Sequence, residues 1–358
     1  MRPMSKSPGK GSKAPSKAPN AGGIARLKAV ASTVVEQAAK KKISAASAKP
    51  TAIKTPRAAR VTKVVVDDTF AEAFDMRATG VIVTGPNRKW ARQAAETMTG
   101  FATSVIACGI EAGIDRELRP DETPDGRPGV RVLMFGMGWN EMQKQLQNRV
   151  GQCVLTCPGA ACYDVGIPGP EKMKIGSLLR YFGDGWQIAK KLDGRRFWRI
   201  PVMDGEFVCE GTTGYTKNAV GGGNLILLGR SPAATLLAAE TAVEAMKAVP
   251  DVIMPFPGGI VRSGSKVGSK YKMLPASTNH RFCPTLHGQV ETDLDDDTRS
   301  VLEIVIDGLT AEAVADAMRA GMEAIMKLGP DKGAARISAG NYGGKLGRHH
   351  FKLRELLR

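Results

Sequence analysis

Long apolar runs are missing from this 358-residue chain. No stretch approaches the roughly 18 to 20 apolar residues that a membrane span needs, and the N-terminus lacks the apolar core of a secretory signal. No membrane partner is therefore expected, and the expected location is cytoplasmic. Cysteine is scarce as well. Six residues, Cys108, Cys153, Cys157, Cys162, Cys209 and Cys283, are too few and too scattered to form a disulfide framework for a chain of this length. The closest group, Cys153, Cys157 and Cys162, has gaps that fit no zinc knuckle, so no metal is expected. Acids are almost absent from the first sixty residues, where Glu36 stands alone against fourteen Lys and Arg and thirteen of the sixteen net positive charges reside. The same segment has no aromatic residue and is rich in Ala, Ser, Pro and Lys. It cannot bury enough apolar surface to offset the entropy of ordering, and residues 1–62 read as a disordered basic tail. Lys40-Lys41-Lys42 could attract a polyanion. Nothing aromatic is interleaved for base stacking, so a solvated extension is expected and a nucleic-acid partner is not. Ile24, Leu27, Val30 and Val34 could form a short amphipathic helix that docks on a partner.

The rest of the chain is nearly neutral. With 42% hydrophobic and 24% charged residues overall, it has the composition of a globular protein long enough for two domains. It also repeats itself. Val81-Ile82-Val83-Thr84-Gly85 and Ala94-Ala95-Glu96-Thr97 recur 144 residues later as Leu225-Ile226-Leu227-Leu228-Gly229 and Ala238-Ala239-Glu240-Thr241. Each copy predicts strand, helix, strand. In the first, Asn87 caps a helix with Trp90, Ala94, Ala95, Met98 and Phe101 at helical spacing, and Ser104 to Ala107 is the returning strand. In the second, Ser231 caps, Pro232 takes the first helical position, Leu237, Thr241, Ala245 and Val249 line one face, and Pro250 ends it.

A further strand-helix-strand unit follows in each half. Val130 to Phe135 is a strand, Asn140 begins a helix with Met142, Leu146 and Val150 on one face, and Gln152 to Thr156 returns. Correspondingly, Val301 to Ile306 precedes a helix capped by Thr310 and bearing Val314, Met318, Met322 and Ile325; Gly329-Pro330 end it and Arg336 to Ala339 returns. Two such units in series are the pattern of a split β-α-β lobe. The expected fold class is α+β: two ferredoxin-like (split β-α-β) lobes from an internal duplication, at residues 63–205 and 206–358, with residues 160–215 bridging them. A cleft between lobes is where ligands usually sit.

Unusual sequence gathers in the loops. Pro255-Phe256-Pro257-Gly258-Gly259-Ile260 leads into Ser263-Gly264-Ser265-Lys266-Val267-Gly268-Ser269-Lys270 and Leu274-Pro275-Ala276-Ser277-Thr278-Asn279. Ser338-Ala339-Gly340-Asn341-Tyr342-Gly343-Gly344-Lys345-Leu346-Gly347 closes the second half. Such glycines let a backbone approach a ligand, and Lys and Ser suit an anion. Gly264 to Gly268 is one residue short of Walker A spacing and Lys270 does not follow the second Gly directly, which excludes a nucleotide-hydrolysing P-loop. By themselves these loops fit tight turns as well as a ligand cradle.

Across residues 67–358 the chain resembles the formylmethanofuran:tetrahydromethanopterin formyltransferase family. The resemblance lies in Asp68-Thr69-Phe70-Ala71-Glu72-Ala73-Phe74, Glu111-Ala112-Gly113-Ile114-Asp115, Glu122-Thr123-Pro124-Asp125-Gly126-Arg127-Pro128-Gly129-Val130, Gly151-Gln152-Cys153-Val154 and Phe182-Gly183-Asp184-Gly185. The Phe256 to Lys270, Leu274 to Asn279 and Ile337 to Gly347 stretches complete it, and the order of the motifs makes it specific. It implies formyl exchange between nitrogen 5 of tetrahydromethanopterin and the primary amine of methanofuran or a bacterial analogue. Both coenzymes would be substrates, with no permanently bound cofactor. Archaeal members are strongly acidic and lack the tail, so the chain looks like a bacterial version. It would then serve formaldehyde oxidation as a homo-oligomer or beside other subunits of a formyltransferase/hydrolase complex. The alternative is a non-catalytic scaffold subunit of that complex.

The incoming amine is its own nucleophile. The enzyme must supply proximity, donors for the developing oxyanion and a proton carrier. His280, His287, His349 and His350 lie outside the matching motifs and are read as surface residues. Glu303 interrupts an apolar strand and shares a face with Val301 and Val305, which desolvates its carboxyl and raises its pKa toward roughly 6 to 7. From the strand alone, a partly exposed or paired acid is the simpler account. The resemblance reverses that, because a strand Glu occupies this place in the family's active cleft. It further implies substrate contacts at Gly258, Gly259, Lys266, Lys270, Ser277, Asn279, Ser338, Asn341 and Lys345, with the lysines meeting anionic coenzyme tails. Glu111 and Asp115, expected in a loop after a strand, would orient the substrate or Glu303.

Overall fold

The computed structural model describes residues 63–358. The expected tail and its short amphipathic helix lie outside the described residues. Strands β1 (Val65–Val66) and β2 (Phe70–Thr84) lead to helix α1 (Arg88–Thr99), a single turn α2 (Val105–Cys108), and strands β3 (Glu111–Leu118) and β4 (Gly129–Gly136). Helix α3 (Trp139–Arg149) precedes β5 (Ala161–Asp164), β6 (Lys172–Lys174), the turn α4 (Gly176–Leu179) and a meander of β7 (Ile188–Leu192), β8 (Arg195–Val202) and β9 (Gly205–Glu210). The second half holds β10 (Thr212–Gly229), α5 (Pro232–Met246), β11 (Val252–Ile253), β12 (Lys266–Val267), β13 (Ala276–Ser277) and β14 (Ser300–Gly308). It closes with α6 (Ala311–Leu328), β15 (Arg336–Ser338), β16 (His349–Lys352) and the turn α7 (Leu353–Leu356). Among the described residues no helix is long and apolar enough to cross a membrane.

The fold is mixed α+β, and the two halves follow one plan. In the first, pairing gives the order β3-β4-β2-β5; in the second, β11-β14-β10-β15. Helices α1, α5 and α6 each start where a side chain caps them: Asn87 accepts from the Trp90 amide, Ser231 from Ala234 and Thr310 from Ala313, satisfying donors that a helix N-terminus leaves unpaired; α3 starts at Gly138 without a side-chain cap. Helices α1 and α3 bury Ala91, Ala94, Ala95, Met98, Met142 and Leu146 on one face of β2 and β4. Helices α5 and α6 bury Ala238, Ala242, Met246, Val314, Met318 and Met322 against β10 and β14. The halves join because β2 and β10 are long enough to pair with each other, Phe74–Thr79 against Tyr215–Gly221, before diverging into their own sheets.

Several expected elements differ. Ser104 to Ala107 is the single turn α2 rather than a strand: Ser104 caps it through the Ile106 amide, and Gly109 at φ 81° ends it. Ile106 points outward, so its apolar character marks no core strand. Gln152 to Thr156 is likewise no strand, because α3 continues into a wider turn in which Leu155 N–H donates to Val150 O at 2.9 Å. The strand of that unit is β5. Phe101 lies beyond α1 at φ 49° and is exposed. The buried face of α5 carries Thr235, Ala238, Ala239, Ala242, Val243 and Met246, not Leu237, Thr241, Ala245 and Val249; Leu237 is exposed. That helix is apolar nearly all round, so spacing alone does not select a face. Residues 160–215 do not form a bridge. β5 through β9 extend the first half's sheet, with Cys162 opposite Cys209 and Trp198, Ile200 and Phe207 in its core. The expected 205/206 boundary falls at the start of β9, which pairs with β8 and, at Cys209, with β5.

Candidate active site

Strand register puts the candidate residues on the helix-free face of the second half. Leu302, Ile304 and Ile306 of β14 face α5 and α6. Alternation then turns Val301, Glu303 and Val305 the other way. Glu303 lies opposite Ile226 of β10, and Ile226 lies opposite Ser338 of β15, so the three form one row across the sheet. Beside them Ile226, Leu228 and Leu294 make a small apolar cluster joined by Val301 and Phe282. Glu303 is half-buried there, and among the described residues no hydrogen bond or ion pair reaches its carboxyl. Burial pushes its pKa up to about 7.

The glycine-rich loops border this row. Val261 makes a two-way backbone bridge with Glu303 at 2.7 and 2.9 Å, bringing the Pro257–Gly259 turn to the outer edge of β14. Gly258 there has φ 64° with nothing within 4 Å of the place a Cβ would take, whereas Gly259 at φ 81° rests on Val243. Lys266 and Ser277 face each other across the β12–β13 hairpin, and Ser277 Oγ donates to Gly268 O at 2.7 Å. Lys270 is exposed, and Asn279 accepts the Phe282 amide at the hairpin's exit. After β15, Asn341 donates to Thr69 Oγ1 and Phe70 O, both at 3.2 Å, and Lys345 points outward.

Glu111 and Asp115 are placed elsewhere. Both lie within β3 rather than in a loop. Asp115 is buried and accepts from Arg131 Nη1 at 2.6 Å and from the Asp251 amide at 2.9 Å; the same Arg131 atom donates to Asp251 at 2.6 Å. Its carboxyl is fully engaged in holding the halves together. Glu111 accepts the Val105 amide at 3.1 Å and meets the fully buried Asp307, four residues along β14 from Glu303. Burial first, then the neighbouring Glu111 charge, drives the Asp307 pKa well up. Asp307 Oδ1 accepts the Gly222 amide at 3.0 Å, and Oδ2 has no hydrogen-bond partner among the described residues.

Glu72 and Tyr342 lie in the matching motifs, but sequence alone assigns neither a role. Glu72 of β2 is fully buried and accepts four loop amides, while the Tyr342 ring packs 5.9 Å from that of Phe74. An acid at an inward position of a strand was the available signal for Glu72. Its partners, some 270 residues away, were not legible. Among the described residues no cluster of His, Cys, Asp or Glu is arranged to hold a metal.

Known proteins resemble this chain in sequence and fold. The family model described as formylmethanofuran-tetrahydromethanopterin formyltransferase matches residues 59–202, and that of the FTR proximal lobe matches residues 205–356. A formylmethanofuran–tetrahydromethanopterin formyltransferase of Methylococcus capsulatus is 63% identical over 294 residues, covering 82% of this chain and 98% of the relative. The crystal structure of the formyltransferase/hydrolase complex of Methylorubrum extorquens with methylofuran contains a chain 59% identical, with a TM-score of 0.80 over 82% of this chain and 96% of that one. The formyltransferase of Methanosarcina barkeri is 44% identical, with a TM-score of 0.78 over 82% and 98%. With both lobe models matched in succession and close relatives covered almost end to end, the chain belongs to the formylmethanofuran–tetrahydromethanopterin formyltransferase family.

Proposed function

We propose that this protein moves a formyl group between nitrogen 5 of tetrahydromethanopterin and the primary amine of methanofuran or a close analogue, with Glu303 as the proton carrier. The observation that carries the reading is the Glu303 carboxyl, desolvated to a pKa of about 7 with no counter-ion among the described residues. A formyl group on a reduced pterin nitrogen is an amide-like acyl donor. When the amine adds to its carbon, the nitrogen becomes cationic and the oxygen anionic. Collapse of the tetrahedral species requires the proton to move from the incoming nitrogen to the leaving one. A carboxyl near pKa 7 can accept and return that proton at neutral pH, and because the donor and acceptor nitrogens exchange roles, it serves both directions.

In this reading the two coenzymes are substrates and no cofactor is permanently bound. The glycine turn at Gly258 and Gly259, the β12–β13 hairpin with Lys266, Lys270, Ser277 and Asn279, and the stretch of Ser338, Asn341 and Lys345 supply amides, hydroxyls and cations around Glu303. Glu111 and Asp115 would then act on the architecture rather than on substrate. Each half is a ferredoxin-like lobe of one duplication, a reading supported by the matching strand orders and the sequence repeat. The protein would work in the cytoplasm, as a homo-oligomer or together with hydrolase subunits as in the Methylorubrum extorquens complex. A scaffold role would not need a desolvated, unpaired carboxylate among intact loop motifs. The test is to mix the purified chain with formyl-tetrahydromethanopterin and methanofuran, without added metal and with a chelator present, and follow pterin absorbance. Deformylation with one-to-one gain of formylmethanofuran is expected; no exchange with either methanofuran or methylofuran would defeat the reading.

A further inference from the structure

Glu72 is a carboxylate that the chemistry above leaves unused. It sits within β2, opposite His350 of β16, and its carboxyl is satisfied entirely by main chain. Oε2 accepts from the amides of Tyr342 at 2.6 Å and Gly344 at 2.8 Å, and Oε1 from Leu346 and Gly347, both at 2.7 Å. Burial by itself would raise its pKa, but the four amides outweigh that and hold it at about 2. It is therefore an anion throughout the working range of pH. The segment from Gly340 to Gly347 has no helix or strand of its own. It is wrapped instead around this one side chain. Asn224 of β10 clamps its start, accepting from Gly340 N–H at 2.6 Å and donating to Gly340 O at 3.1 Å.

The wrapped segment carries Tyr342. Its ring meets Phe74, two residues along β2 from Glu72. Partial burial raises the phenol pKa, and the charges of Glu303 and then Glu72 raise it further. The hydroxyl thus remains a neutral donor over the range in which Glu303 titrates. The formyl oxygen requires such a donor as it gains charge.

Resting on the formyl-transfer reading, we propose that Glu72 is a positioning residue: it folds the 340–347 segment so that the Tyr342 hydroxyl stands beside Glu303 and donates a hydrogen bond to the formyl oxygen. The phenol keeps its proton throughout, while the proton that moves between nitrogens travels by Glu303. Glu72 never touches substrate. Its effect is exerted through Tyr342.

A double-mutant cycle on the full chain separates this from a merely structural role. Tyr342→Phe keeps the ring contact and should lower kcat by about 100- to 1,000-fold, the usual cost of an oxyanion donor, with KM and melting temperature near those of the parent. Glu72→Gln turns an NH2 donor toward two of the loop amides. Amides of residues 342–347 should then exchange faster with deuterium, and kcat should fall by a similar factor. The double variant should be no slower than the slower single, because both remove the same interaction. Additive losses would overturn the proposal, as would a loosened loop with parental kcat. If Glu72→Gln does not fold, Tyr342→Phe decides alone, and a kcat within about threefold of the parent defeats the proposal. Absence of exchange in the parent would instead refute the formyl-transfer reading before any variant is compared.

Discussion

Glu72 and Glu303 lie on the same face of one sheet with opposite electrostatics, and partners make the difference. Four amides hold the first at about 2, and desolvation without a partner lifts the second to about 7. Glu303→Gln should therefore lower kcat by about 100- to 10,000-fold with little change in KM. In the direction where the carboxylate takes the proton from the amine, the parent rate should rise as pH passes about 7, and the variant should lose that limb. Stability gives an independent reading. Because the folded pKa of this acid lies above its unfolded value, the unfolded chain ionises first, so stability falls as pH climbs from about 4.5 to about 7 and stays reduced above. The Gln variant should thus be as stable as the parent or more so at pH 8, by up to about 3 kcal/mol, with an equal or higher melting temperature, and the difference should be smaller at pH 4. A paired acid would behave oppositely, losing several kcal/mol on substitution. Melts at both pH values with kcat from the same preparation distinguish the two.

At the scale of elements, caps and turns were legible because they are local. Asn87, Ser231 and Thr310 each bond an amide three residues on, and the chain needs no distant partner to do this. Faces were less legible where a helix is rich in alanine, as in α5, and strand-like runs misled where β-branched residues fell in a helical turn, as at Val105 and Ile106. Contact between layers is tighter than side-chain spacing suggests. Gly223 of β10 lies under α6, and a Cβ there would approach Val314 Cγ1 to 2.4 Å. Val has one stiff rotatable bond and cannot easily give way. Gly223→Ala should therefore destabilise the fold by about 1 to 3 kcal/mol, read as a lower denaturant midpoint at unchanged slope. An unchanged midpoint would mean that α6 can shift away from the sheet at little cost.

Across the described residues, the β2–β10, β2–β16 and β6–β10 ladders join the halves, and side chains fasten them further. Arg131 of β4 reaches Asp115 in its own half and Asp251 in the other, and Glu111 of β3 lies beside the buried Asp307 of β14. The Asp115 side chain has no exposed surface and is paired with Arg131 at 2.6 Å. Replacing Arg131 with Met should cost about 3 kcal/mol by stranding that carboxylate. Adding Asp115→Asn should recover much of the loss. Equal destabilisation in the single and double variants, by chemical denaturation, would mean that the ion pair contributes nothing beyond the packing of Arg131.

The sequence by itself determined the duplicated strand-helix plan, the helix caps, the glycine-rich loops and, through the order of its motifs, the family. These rest on periodicity, local hydrogen bonds and short-range backbone geometry, all of which reside in neighbouring residues. Glu303 stands out as an acid interrupting an apolar strand, but those six letters alone favour an exposed or paired acid, and the role proposed for it came from the family resemblance. Only the tertiary structure decided which acids meet which partners. Asp115 meets Arg131 and the Asp251 amide, Glu111 lies beside Asp307, and Glu72 accepts amides some 270 residues away. Strand register sets those meetings, and register follows from long-range pairing and from which face the helices cover.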